Sequence, residues 1–175
     1  MSFEERKSMA DALFDRLVAP VLPEMFGATT VEWVSSEGGG ELAALMDRER
    51  SVDGYIRIDG GVPVPVSKRL QWADTDYRTI TIRTSRLSGH ETEIHKFDRL
   101  APDHMHLHAY VNRIGTELIS VYAVRSALLP SRIKSHKVNP QDGTEFGYVY
   151  FDDVADEDGS FGWPDGQRRR YRFVV

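Results

Sequence analysis

A chain of 175 residues with a net charge of -5, a pI near 5.7 and 41% hydrophobic residues holds enough apolar material for one globular domain with a real core, and too little for two. The acidic balance excludes a global basic field, so any nucleic-acid contact has to come from a local patch. The absence of cysteine excludes disulfides and thiolate metal sites.

The N-terminus, MSFEERKSMADALF, carries charges where a signal peptide needs an apolar core. No run approaches the ~18 apolar residues of a membrane span. A cytoplasmic protein that does not enter the membrane is the expectation. Within residues 1–24, Ala10, Leu13, Phe14, Leu17 and Val18 recur at helical spacing and predict an amphipathic helix, stopped by Pro20 and Pro23. Residues 29–34 read as a short strand or the start of a helix, 35–40 (SSEGGG) as a loop, and 41–47 as a helical turn or two. The loop lacks the Lys-Ser/Thr of a phosphate-binding P-loop.

From residue 52 the period changes towards two. VDGYIRID and PVPVSKRLQW flank a DGG turn at 59–61, which predicts a hairpin, with Pro63 and Pro65 making the second strand irregular at its start. TITIRTS continues as a third strand, and residues 93–100 suit a helical turn. HMHLHAYVN and ELISVYAVRSALL are further strands, the latter running into a short helix near Leu128. Residues 134–145 read as a loop, FGYVYFDDV as a last short strand, and 131–175 as a C-terminal extension ending in the basic run RRRYR at 168–172. The order helix, antiparallel strands, mixed elements predicts an α+β fold in a single domain spanning 1–175, with a mainly antiparallel or mixed central sheet.

The anomaly lies between Asp47 and Lys96. Asp53, Arg69, Gln71, Arg83, Arg86, Glu93 and Lys96 recur at strand-like positions in a domain that should line its sheet with apolar groups. Residues two apart share a strand face, so Ser67, Arg69 and Gln71 lie opposite Lys68, Leu70 and Trp72. A hairpin can bring Asp53 beside the Arg69/Gln71 face. A carboxylate, an amide oxygen and a guanidinium suit a hard cation held against a phosphate. Glu93 and Lys96, three apart, add a second acid and a second cation. An ion-pair network on a solvated sheet face is the plain alternative.

The order of helix, acid-bearing loop, Asp-bearing strand, hairpin and polar strand resembles the core of PD-(D/E)XK nucleases, over roughly residues 41–130. The blocks VDGYIR, SKRLQW, TITIRTSRLSGHETEIHK and HLHAYV also resemble uncharacterised bacterial and phage proteins that carry them in that order. In the superfamily an Asp precedes a (D/E)-x-K on the next strand; the carboxylates hold the metal and the Lys positions or activates water. The resemblance implies a restriction-endonuclease-like core, with Asp53 on the motif's Asp and Gln71 and Arg69 roughly where the acid and the cation stand. It also implies Mg²⁺ or Mn²⁺ held by Asp53, Gln71 and Glu93, phosphate contacts from Arg69 and Lys96, and a nucleic-acid substrate cleaved by in-line attack of water. The chain departs from the pattern in having no (D/E)-x-K after Asp53, and Arg-x-Gln reverses the order. A non-catalytic module binding nucleic acid or a protein partner on the same scaffold therefore stays open.

A separate possibility is the HMHLH run. His104, His106 and His108 occupy one strand face and are candidate transition-metal ligands, with Glu93, His95 or Asp103 as further donors. Ser67 and the histidines permit a hydrolase triad on paper, but no G-x-S-x-G elbow accompanies them.

Overall fold

The computed structural model describes residues 3–35, 52–100, 102–155, 157 and 160–163. The 41–47 segment and the RRRYR run lie outside the described residues.

Helix α1 (Phe3–Leu13) passes into a π-helical turn (Phe14–Val18), a 3₁₀ turn (Ala19–Val21) and α2 (Leu22–Phe26), so the helical path does not stop at the prolines. Pro20 and Pro23 each sit in the first turn of a new helical segment, where an N–H has no intrahelical partner and the ring's fixed φ is already helical. The path ends at Gly27, whose φ of 62° closes the last turn through N–H bonds to Glu24 and, from Ala28, to Pro23.

The strands form two sheets. The larger has the order β1-β2-β3-β5-β6-β9, built from Val31–Ser35, Gly54–Ile58, Val64–Trp72, Met105–Val111, Leu118–Arg125 and Phe161–Trp163. The smaller, β4-β8-β7, contains Thr79–Ser85, Glu145–Tyr150 and Ser135–Val138. The α+β reading thus holds, with a mixed six-stranded sheet and an antiparallel three-stranded one. TITIRTS is a strand, as expected, but it joins the smaller sheet and pairs with β8. The neighbour of β3 is instead β5, in parallel register from Val66↔Met105 to Trp72↔Val111. A parallel pair needs a long crossover, and β4 with helix α3 (Glu93–Lys96) supplies it.

The helices cover one face of the large sheet and the small sheet covers the other. Phe14, Val18, Leu22, Met25 and Phe26 pack with Ile56, Val66, Leu107, Ala109, Val121 and Ala123. Ile80, Ile82, Val149 and Phe151 pack against Tyr110, Tyr122 and Val124 on the reverse side. Burying a side chain such as Phe14 or Leu22 contributes about 1.5–3 kcal/mol before its entropy loss is counted. β5, paired on both edges and covered on both faces, is buried throughout. No helix among the described residues is long and apolar enough to cross a membrane.

Candidate functional site: a cleft between the N-terminal helix and the third strand

The polar residues of the 47–96 stretch divide between two layers. Arg69, on the face of β3 that meets the small sheet, donates to both oxygens of Glu93 at 3.0 and 3.4 Å and to the Thr81 hydroxyl at 3.1 Å. Glu93 also accepts the Arg83 N–H at 2.5 Å and lies 3.8 Å from the Arg83 guanidinium. Both guanidiniums sit over the Phe146 ring, at 5.1 and 5.9 Å. The cluster ties α3 to the two sheets as a partly buried network. Gln71 stands opposite Tyr110 in the β3–β5 ladder, and Lys96 sits in the last turn of α3.

Asp53 belongs to the other layer. Its Oδ2 accepts the Lys68 backbone N–H at 2.6 Å, just where β2 and β3 part. The carboxylate lines a cleft of about 140 Å³ together with Lys7, Ala10, Asp11, Phe14, Lys68 and Leu70. Asp53 is thus grouped with residues of α1 and with the Lys68/Leu70 side of β3, whereas Arg69 and Glu93 bond to β4 and α3.

Two residues that sequence reasoning missed complete the cleft. Lys68 Nζ lies 2.6 Å from Asp11 Oδ1, with both side chains mostly buried. The same ammonium is 4.9 Å from the centre of the Phe14 ring and 5.1 Å from that of Trp33. An ion pair enclosed by two aromatic faces has few alternative positions, so the lysine is held in place. Gly54 makes the box possible. A Cβ there would fall 2.5 Å from Trp33 Cη2 and 2.6 Å from the Val34 carbonyl, so only glycine lets the indole cross β2 at this point.

Signals for both residues are present in the sequence. Asp11 lies three residues before Phe14, on the flank of the apolar stripe rather than on the far face of the helix. Lys68 alternates with Val66 and Leu70, a lone cation on an otherwise apolar strand face.

The histidines line the interior between the sheets. His106 Nδ1 is 2.9 Å from Ser67 Oγ and His104 Nδ1 is 2.7 Å from Ser126 Oγ, while His108 Nδ1 accepts the Thr81 N–H at 3.5 Å. Burial pushes His106 down to about 3, with Arg69 and His104 adding to the depression and Glu93 opposing it. Burial likewise takes His108 well below the usual imidazole range, reinforced by His106 and Arg69. Both rings are therefore neutral. Because His108 Nδ1 accepts from Thr81, the hydrogen of that ring sits on Nε2. Among the described residues, no three His, Asp or Glu side chains gather as a metal-ligand set.

Comparison of the chain with protein-family models, curated proteins and solved structures returns no match.

Proposed function

We propose that the protein acts on nucleic acid as a Mg²⁺- or Mn²⁺-dependent phosphodiesterase of PD-(D/E)XK type, working at the Asp11–Asp53–Lys68 cleft. One observation carries this reading: two carboxylates from α1 and from the start of β2 line the same small cleft as a fixed lysine on the next strand. The donor set fits the cation, because Mg²⁺ prefers oxygen and is commonly held by one or two carboxylates, with phosphate and water completing its shell. Val66-Ser67-Lys68 keeps the lysine of the (D/E)-x-K pattern and lacks its acid, and Asp11 on the helix supplies a carboxylate in its place.

Asp53 and Asp11 would hold the cation. When bound, it supplies charge neutralisation at the phosphate and Lewis-acid polarisation of the scissile bond. The Lys68 ammonium, released from Asp11 as that carboxylate turns to the cation, would donate to a phosphate oxygen or orient the attacking water. Lys7, at the rim of the cleft, adds a second cation for the backbone of the substrate. In this reading Arg69 and Glu93 hold the frame on the far side of β3, and neither Lys96 nor Gln71 lines the cleft.

Purified protein is expected to cleave DNA or RNA in the presence of Mg²⁺ or Mn²⁺ and to stop when EDTA is added. Asp53→Asn and Lys68→Met should each lower cleavage at least a hundredfold while keeping the circular-dichroism spectrum of the parent. Undiminished cleavage by Asp53→Asn would overturn the assignment. A second reading draws on the ion pair itself, since a lysine already neutralised by Asp11 suits a scaffold that binds without turnover. It predicts nucleic-acid binding that is indifferent to chelators.

A further inference from the structure

The β2–β3 pairing ends at Gly54↔Val66, while the β3–β5 pairing runs on to Trp72↔Val111. Among the described residues, β3 beyond Ser67 therefore has a strand neighbour on one side only. Along this stretch the strand alternation places Lys68, Leu70 and Trp72 on one face. Lys68 and Leu70 line the cleft against α1, and Trp72 stands about 13 Å beyond Lys68, four residues along an extended strand.

Trp72 is 36% exposed, although it closes a strand whose other large residues are at least partly covered. Its indole edge is braced. A Cβ on Gly115 would lie 3.8 Å from Trp72 Nε1 and 3.3 Å from Leu13 Cδ1, so the turn between β5 and β6 and the end of α1 back the ring. Arg16 in turn donates to the Gly115 carbonyl at 2.5 Å and fixes that turn. One face of β3 thus carries the cleft with its lysines and carboxylates at one end and a held, half-open aromatic ring at the other.

We propose that this face of β3 takes single-stranded nucleic acid, with its phosphates at Lys68 and Lys7 and a base stacked on Trp72. The inference rests on the reading of the Asp11–Asp53–Lys68 cleft as a phosphodiester site and adds the substrate class to it. The two lysines balance the two carboxylates in the bare cleft, so a divalent cation leaves it positive and complementary to phosphate. The net charge of -5 gives the chain no general attraction for a polyanion, so attraction has to come from a local site such as this one. Bases within a duplex already cover one another's faces. A base in a single strand has a face free for the indole, and such stacking is worth about tenfold or more in affinity.

The test is the binding of a labelled oligo(dT) and of a hairpin duplex, with Ca²⁺ replacing Mg²⁺ to hold back turnover. Trp72→Ala should weaken oligo(dT) binding about tenfold and leave duplex binding unchanged, and Trp72→Phe should recover part of the loss. Oligo(dT) should also quench tryptophan emission in the parent, and this quenching should shrink in Trp72→Phe, a readout independent of whether the alanine variant folds. Equal affinity of parent and Trp72→Ala for oligo(dT), equal losses on both substrates, or no binding of oligo(dT) by the parent would overturn the proposal. Persisting cleavage by Asp53→Asn would remove the phosphodiesterase reading alone, because the Trp72 comparison is made without turnover.

Discussion

Lys68 occupies a position that strand alternation assigns to the apolar side of β3, and the surrounding residues explain how a cation is tolerated there. Asp11 neutralises it, while Phe14 and Trp33 present ring faces to it. Asp53 was legible in the sequence because an acid before a hairpin strand is a local feature. The pairing of Lys68 with Asp11 was not, since it joins residues on α1 and β3 that only tertiary packing brings together. The charge anomaly itself was real, but Arg69, Arg83 and Glu93 answer it mainly by satisfying one another. The tightest steric constraint on the cleft is at Gly54. Gly54→Ala would drive a methyl group against both the Trp33 ring and the Val34 carbonyl, and backbone cannot move aside as a flexible side chain can. We expect a loss of about 1–3 kcal/mol in urea unfolding, together with lost cleavage as Trp33 shifts off Lys68. A variant as stable as the parent would mean that β1 slides freely over β2.

At the level of elements, the local signals performed well wherever one short stretch decides the outcome. The DGG stretch does turn the chain between β2 and β3, with positive φ at Asp59 (46°) and Gly60 (72°) and a bond from the Gly61 N–H to the Ile58 carbonyl at 2.9 Å, although the ladder itself starts only at Ile56↔Val64. Asp59 does a second job that its sequence neighbours do not reveal. Its Oδ1 accepts the N–H groups of both Thr29 and Thr30 at 2.8 Å, anchoring the hairpin to the chain that leaves α2. Asp59→Ala removes both bonds and keeps a strained φ, so thermal unfolding should show a loss of about 1–2 kcal/mol. An unchanged midpoint would assign the anchoring to the backbone bond from Asp59 N–H to the Thr30 carbonyl. Where partners are distant, local pattern failed. β7 lies at a sheet edge with all four residues exposed, so it carries no alternation and reads as a loop. The transfer of β4 to the smaller sheet was hidden for a related reason. Its partner β8 begins some 60 residues later, and nothing in TITIRTS distinguishes a third hairpin strand from a strand of another layer.

For the whole molecule, the chief pH-sensitive feature is the seam between the two sheets. His106 and His108 stand buried and neutral there, with Ser67, Thr81, Arg69 and Tyr110 around them and the nearest acid, Glu93, already engaged by two arginines. In the unfolded chain both imidazoles titrate near 6.5, whereas in the folded protein His106 titrates at about 3 and His108 well below its ordinary value. Between those limits the unfolded state binds more protons, so stability is complete above pH ~7 and falls as pH drops through 6.5 towards 3. Each histidine contributes up to about 1.4 kcal/mol per pH unit, and the pair up to about 2.7. The exposed carboxylates Glu91 and Asp142 also have depressed values, Glu91 from its bond with Arg99 and Asp142 from the Thr144 N–H. Their stabilisation is lost only below the ordinary carboxylate range, which leaves pH 5–6.5 to the histidines. Urea unfolding at pH 7.5, 6 and 5 should therefore give a steep decline. His108→Phe, which keeps an aromatic ring beside Tyr110 and removes one titrating group, should roughly halve that slope. A stability that stays level between pH 7 and 5 would mean that the seam opens to water, or finds an acid partner, when its histidines are protonated.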